Sequence, residues 1–380
     1  MHSRLSASAS RALVVGFLVS FLAACGGARP AVTETAPSAV STVSWPASVP
    51  DTSLFTAPQG YPAIELGVVI FDPATATVSD EAHVALREVE ARLLASTLRD
   101  TLTASGNWGA VRVLPAASPI VPVILSGQIL HSDGRDLVVA IDVQDASGEV
   151  WLQRTYRQQV GASVYPEPAG TTAFHDLFNA IANDVLAAAK GLPDSATARL
   201  PLLSELRYAA DLLPEAFGAY LEESAPGMLA IARLPATSDP MFARINRIRN
   251  QEYLFVDTVD EQFLDMRQRL SPVYSLWRQA TFEQAAYFDS YRDRAGQREL
   301  SAPKGSFAAM QQVYATYRSV RVQEQDLFEL ALGFGNEVED TVVDTGDRVF
   351  RLTGTLDSQY EEWRRILAQI FALEMGATGG

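Results

Sequence analysis

VILSGQILHSDGRDLVVAIDVQDASGEVWLQRTYRQQV, residues 123–160, reads as three consecutive strands. The runs 123–131, 137–144 and 149–160 alternate between apolar and polar residues or are continuously apolar, the pattern of chains lying in a partly buried sheet. Asp133-Gly134 separates the first two runs, and Asp145-Ala146-Ser147-Gly148 the last two. Both are turn chemistry, because Gly reaches positive φ without strain and Asp bonds back to its own backbone. The three strands are therefore predicted to run antiparallel as a meander.

Upstream, Val68-Val69-Ile70-Phe71 is a short β-branched and aromatic run closed by Asp72-Pro73, a buried strand. Ser79 and Asp80 offer an N-cap to a helix that places Leu86, Val89, Leu93, Leu98 and Leu102 on one face and stops at Ser105-Gly106. Val111 to Leu114 supplies another strand. After the meander, Phe174 to Lys190 forms a second helix with Phe174, Leu177, Phe178, Ile181 and Val185 as its apolar stripe, ending at Gly191-Leu192-Pro193. The expected fold class is α+β, a small mixed sheet with two helices, one for each face of the sheet. This sandwich domain is bounded at 63–195.

From Leu202 the period becomes helical. Asp239-Pro240 is an N-cap and N1 pair, after which Met241, Ile245, Ile248, Phe255, Val259, Phe263, Met266 and Leu270 recur at three or four residue steps up to Pro272. A second helix is expected from Val273 to Arg294 and a third from Ser306 to Glu339, kinked at Gly333 and Gly335. A short β-like stretch spans 341–354, and Leu356 to Met375 closes the chain as a helix whose stripe is Leu356, Tyr360, Trp363, Leu367 and Ile370, widened by Ile366 and Phe371. The natural arrangement of these stripes is an antiparallel bundle, a second domain over 200–376. The aromatic residues concentrated there, among them Tyr274, Trp277, Tyr287, Tyr291, Tyr314 and Tyr317, are expected mostly as core.

The start of the chain gives an address. Arg4 and Arg11 precede the apolar run ALVVGFLVSFLAA (residues 12–24), the layout of a secretory signal over 1–24 and too short to span a bilayer. Leu22-Ala23-Ala24-Cys25-Gly26 follows, and Cys25 is the only cysteine. These residues resemble the lipobox of bacterial lipoproteins. The resemblance implies that Cys25 is acylated and becomes the first residue after cleavage, and Gly26 rather than Asp after it implies the periplasmic face of the outer membrane rather than the inner one. Residues 25–62, rich in Ala, Pro, Ser and Thr, read as the lipidated Cys and a tether; as coil, about 35 residues would average about 30–35 Å end to end. The fold can call on no disulfide.

Composition removes several functions. The net charge of −15 becomes more negative when the leader, carrying two arginines and no acid, is lost, and such a surface repels nucleic acid. Lys190 and Lys304 are the only lysines, so a lysine nucleophile has few candidates. His83, His131 and His175 lack spaced partners, so neither a metal nor another cofactor is expected. Asp344-Thr345-Gly346 matches the aspartic-protease triplet locally, but Asp347 follows and helices flank it, so a plain turn with Gly346 at positive φ is expected. Asp257, Asp260 and Glu261 lie at i, i+3 and i+4 on the long helix, and carboxylates so grouped are what glycan hydrolysis would use. The neighbouring Arg244, Arg247, Arg249, Arg267 and Arg269 make a salt-bridged face the simpler expectation.

The order of elements in 63–195, the SGNWGAVRV approach to the second strand (105–113), Ser126-Gly127-Gln128-Ile129 and Asp145-Ala146-Ser147-Gly148-Glu149-Val150 together resemble a group of small periplasmic domains. These occur in curli-secretion lipoproteins, in lipoprotein activators of penicillin-binding proteins, and at the amino terminus of the Tol-system β-propeller protein. The resemblance implies a non-catalytic binding or scaffolding role in the cell envelope, with an envelope protein as partner and peptidoglycan within reach. The alternative is a glycan-acting enzyme using the carboxylates near 257–261.

Overall fold

A computed structural model of the chain describes residues 44–56, 64–75, 81–167, 171–236, 239–298, 340–345 and 348–376, with isolated helical positions between 311 and 329. The described residues from Trp45 onward make one compact unit. Its centre is a five-stranded sheet of β1 (Leu66–Val69), β2 (Val111–Leu114), β3 (Val123–Ser132), β4 (Asp136–Asp145) and β5 (Val150–Gln159), ordered β2-β1-β3-β4-β5. β1 is parallel to β2 and β3, and β3, β4 and β5 form the antiparallel meander, so the fold is α+β with a mixed sheet. The turns close where the residues demand: Asp133 accepts the amides of Arg135 and Asp136 at 2.7 Å each, and Gly148 takes φ +92°. β1 starts two residues earlier than expected, because Phe71 leaves the strand and buries its ring over Gly127, where a Cβ would sit 2.6 Å from that ring.

The helices α1 (Glu81–Ser105) and α2 (His175–Lys190) pack against each other on the same face of the sheet, correcting the expectation of one helix per face. Their stripes share one core with the inward residues of β3 and β4, so neither helix could leave without uncovering the other. On the opposite face Ser126, Gln128, Ala140, Asp142, Gln153 and Thr155 surround a shallow depression of about 380 Å³.

Short helical turns at Asp194–Thr197 and Pro214–Phe217 flank α3 (Leu200–Leu212), and a hairpin of β6 (Leu221–Ala225) and β7 (Met228–Ile231) follows. Next comes α4 (Pro240–Arg298), 59 residues or close to 90 Å at 1.5 Å per residue. Asp239 caps it, its Oδ1 accepting the Met241 amide at 2.9 Å. The expected break at Pro272 is absent. Leu270 before it and Trp277 and Arg278 after it are buried against the same body, while Pro272 and Gln268 lie on the solvent side, where the carbonyl deprived of its partner is open to water. The expected third helix, 306–339, lies largely outside the described residues. The β-like stretch is the hairpin of β8 (Thr341–Asp344) and β9 (Val349–Leu352), and α5 (Leu356–Gly376) ends the described chain. The α5 stripe is docked as its spacing implied, with Phe255 of α4 stacked on Tyr360 and Trp363 at 5.5 and 6.5 Å.

The boundary placed between 195 and 200 does not separate two cores. One hydrophobic cluster runs from Leu66 and Leu98 through Tyr208 to Ile245, Phe255 and Trp363, because the apolar stripe of α4 is buried on β2 and α1 as well as on α3 and α5. The tether is likewise shorter than 25–62: from Trp45 to Thr56 the chain is held against β5 and α2. Both sheet edges are thereby engaged, β2 by α4 and the Gln159 end of β5 by this arm, which limits strand addition there.

Candidate functional site

Asp257 and Asp260, two of the three carboxylates singled out on α4, face β2 and α1. Arg112 of β2 donates from Nε to Asp257 Oδ1 at 2.7 Å, lies 3.9 Å from Glu65, and places its guanidinium 4.4 Å above the Tyr253 ring. Asp260 Oδ1 accepts the backbone amide of Val113 at 3.2 Å and lies 3.6 Å from Arg99 Nη2. Arg99 also meets Asp100 at 3.2 Å, and Asp100 pairs with Arg267. Asp257 and Asp260 thus belong to a ladder of acids and arginines along the seam between α4, β2 and α1, while Glu261 is left exposed at the surface. Of the other arginines expected to pair, Arg247 reaches Glu374 at 3.7 Å, Arg269 reaches Asp265 at 2.6 Å, and Arg249 donates to the Ile120 carbonyl.

Asp260 is the electrostatic exception. Burial, with the carboxylates of Asp257 and Asp100 nearby, pushes its pKa up to about 6 against the pull of Arg99 and the Val113 amide. A carboxyl group protonated near neutrality is what a general acid requires. Here its side chain is 14 % exposed and its oxygen accepts a single amide, that of Val113, from an edge strand.

Two buried polar clusters went unread in the sequence. Glu90 Oε1 accepts from Ser132 Oγ and Tyr274 OH at 2.7 Å each and lies 3.3 Å from Arg278 Nη2. Arg278 donates further to the Asp133 carbonyl at 2.6 Å and stacks 4.5 Å from the Phe174 ring. Burial alone would lower the Arg278 pKa, but Tyr274 and Glu90 more than reverse this, so the guanidinium stays charged. Further along α4, Glu252 accepts from Ser118 at 3.2 Å, Tyr208 at 2.7 Å and Tyr360 at 2.6 Å, joining three helices and a loop. A signal for both was available: Glu90 falls on the stripe of Leu86 and Leu93, and Glu252 on that of Ile248 and Phe255, positions where a charge is buried if the helix is.

The third polar arrangement holds the arm. Thr52 N donates to Asp176 Oδ1 and Phe55 N to Asn183 Oδ1, each at 2.8 Å. Asn179, Asn183 and Asn107 donate to the carbonyls of Thr52, Ser53 and Phe55 at 2.8, 2.9 and 2.8 Å. At the other end Val49 N donates to Arg157 O at 2.7 Å and Gln159 N to Ser48 Oγ at 2.9 Å. Gln158 steadies the clamp, donating to Asp176 Oδ2 at 3.2 Å and accepting the Leu177 amide at 2.8 Å.

Of the histidines, His131 lies 3.1 Å from Asp133 and His175 3.4 Å from Asp176. For Asp133, burial would raise the pKa, yet hydrogen bonds from His131 and from two backbone amides together hold it down to about 2. Among the described residues no three metal-ligating side chains converge. Asp344 ends β8, and Thr345 N closes the hairpin on Arg348 O at 3.0 Å; Gly346, Cys25 and the side chain of His83 lie outside the described residues. Trp277, Tyr360 and Trp363 are core, whereas Tyr314 and Tyr317 are exposed. Compared with known proteins, the chain matches no family model, no curated protein and no solved structure.

Proposed function

We propose that the protein is a lipoprotein held at the periplasmic face of a bacterial outer membrane through Cys25, where it binds or scaffolds another envelope protein. The observation that carries this is the run Leu22-Ala23-Ala24-Cys25-Gly26 closing an apolar leader. The site geometry is in keeping with binding. The carboxylates best spaced for catalysis are spent on the seam, where Asp257 and Asp260 pair with Arg112, Arg99 and a strand amide. Assembly or regulation of an envelope machine through protein contacts is what the resemblance of residues 63–195 implies, and peptidoglycan is within reach of such a protein.

The raised pKa of Asp260 beside Asp257 is the one observation that favours a glycan-acting enzyme instead. The two are separated by three measurements on one set of cells. Metabolic labelling with a fatty acid is expected to mark the wild type and to be lost in Cys25→Ser, which should leave the precursor uncleaved or the protein soluble. Crosslinking in the native envelope should recover a protein partner. Purified sacculi should release no soluble fragments on incubation with the protein. Release that disappears in the triple variant Asp257→Asn, Asp260→Asn, Glu261→Gln would transfer the assignment to the enzyme, and a Cys25→Ser protein still acylated would remove the anchor.

A further inference from the structure

The arm at 45–56 is held in an unusual way for a piece of a folded domain. Five of its backbone groups, the amides of Thr52 and Phe55 and the carbonyls of Thr52, Ser53 and Phe55, are bonded by side chains of α2 and by Asn107. Asp176, Asn179 and Asn183 stand at i, i+3 and i+7, so they line one side of α2 and read the main chain in steps. Asn183 does so in both directions, accepting from Phe55 N and donating to Ser53 O, as one strand would to another. Asn107, Gln158, Asp176 and Asn183 are themselves buried polar residues, so the trench is built of polar groups whose partners are an extended backbone.

Contacts of this kind do not depend on the side chains of the occupant. Those side chains are largely spare: Pro50, Asp51, Ser53 and Thr56 are exposed, Phe55 is 61 % exposed, Ser48 offers its hydroxyl as acceptor to the Gln159 amide, and only Val49 and Leu54 pack against the core. The arm therefore buries little apolar surface, and its hold is a set of hydrogen bonds. Pro46 and Pro50, which lack amides, fall where no amide is used.

We propose that the trench between α2, Asn107 and the Gln159 end of β5 is a docking site for an extended segment of a partner protein, with residues 45–56 as a strap that fills it until displaced. The segment it fits offers free amides at the positions of Val49, Thr52 and Phe55, apolar side chains at those of Val49 and Leu54, and an acceptor such as a hydroxyl at that of Ser48; at Pro50, Asp51, Ser53 and Phe55 its side chains are unconstrained. Main-chain hydrogen bonding gives the affinity, as in recognition by strand addition. The proposal deepens the binding function above and rests on it. A crosslinked partner mapping to another face would leave that function standing and remove this site.

The test uses the mature protein in detergent and a fluorescent peptide of residues 45–56. In the wild type the tethered strap, at an effective concentration on the order of millimolar, keeps the peptide out. Thr52→Pro with Phe55→Pro deletes two of the strap's three donated amides and leaves that of Val49, and the peptide is then expected to bind at least ten-fold more tightly. Adding Asn183→Ala, or Asn179→Ala if the former fails to fold, should reverse that gain. A peptide with serine in place of Asp51 and Phe55 should bind within about three-fold of the original. In the wild type the amides of Thr52 and Phe55 should exchange with solvent at least a hundred-fold faster than core strand amides. The proposal is overturned by equal peptide binding in wild type and proline variant, by loss of binding on the serine replacements, or by strap exchange only at global unfolding. A concentration-dependent dimer with the arm of one copy crosslinked into the trench of another would assign the site to a second copy of this chain and overturn the choice of partner.

Discussion

Among the described residues no strand lies beyond Val113, and Asp260 accepts its amide hydrogen bond in place of one. That service puts a carboxylate where burial raises its pKa to about 6, with Arg99 and Asp100 of α1 and Asp257 of α4 as its charged neighbours. The sign of the consequence follows from linkage. The native state binds a proton at this group more tightly than the unfolded chain, whose Asp titrates near 3.9, so the contribution to stability is full below that value and is lost as pH rises through 6. Comparing wild type with Asp260→Asn isolates it from the other acids. Between pH 7 and pH 4.5 the urea stability of the wild type should gain about 1–2 kcal/mol relative to the variant, after allowance for partial exposure. Equal slopes in the two proteins would mean that Asp260 is solvated and that the seam does not bury it.

At the scale of elements, Pro272 is the sharpest departure from what local sequence implies. Proline inside a helix costs about 3 kcal/mol, so a sequence reader stops the helix there. The cost is met by burial on both sides, with Leu270 and Trp277 fixed on one body. Pro272→Ala should restore the missing bond to the Gln268 carbonyl. Offset by the entropy the alanine returns to the unfolded chain, the gain expected in urea titration is about 1–2 kcal/mol. A helix broken at 272 in solution would make the substitution neutral or destabilising. The same contrast explains what was legible. Strands 123–160 and the helices 174–190 and 356–375 were found because period and turn residues agree locally with the fold. Pro272, the shared face of α1 and α2, and the docking of residues 45–56 were not, since each is decided by contacts distant in sequence. The arm is the clearest case: its Pro, Ser and Thr have no packing period, and the side chains that order it lie far along the chain, Asn107 at a separation of 52 residues and those of α2 at more than a hundred. In the candidate site, the spacing of Asp257 and Asp260 placed them on one face correctly, but their partners Arg112 and Arg99 are on other elements, beyond the reach of helical periodicity.

For the whole molecule, the question is whether residues 63–195 form a domain in the thermodynamic sense. As a list of elements they do, since two helices cover one face of a five-stranded sheet. Their polar accounting does not close. Without α4 the Val113 amide loses Asp260, the side of β2 that meets α4 is uncovered, and Glu90 loses Tyr274 and Arg278 and keeps Ser132 and Arg87. Glu90 then loses one of its two cations, each at 3.3 Å, together with the Tyr274 hydroxyl, a cost of about 1–3 kcal/mol that is a sizeable part of the 5–15 kcal/mol that ordinarily holds a domain together. Expressed alone, residues 45–195 should therefore retain mixed α and β circular dichroism but bind a hydrophobic dye and melt without a cooperative transition. Glu90→Leu in that fragment, by removing the stranded charge, should recover part of the cooperativity. The full chain should instead unfold in a single transition across 45–376, with near-ultraviolet signals from Trp108 in the sheet layer and Trp363 on α5 lost together. A fragment that melts sharply within a few degrees of the full protein would establish two domains, with α4 laid against the first as a separable neighbour.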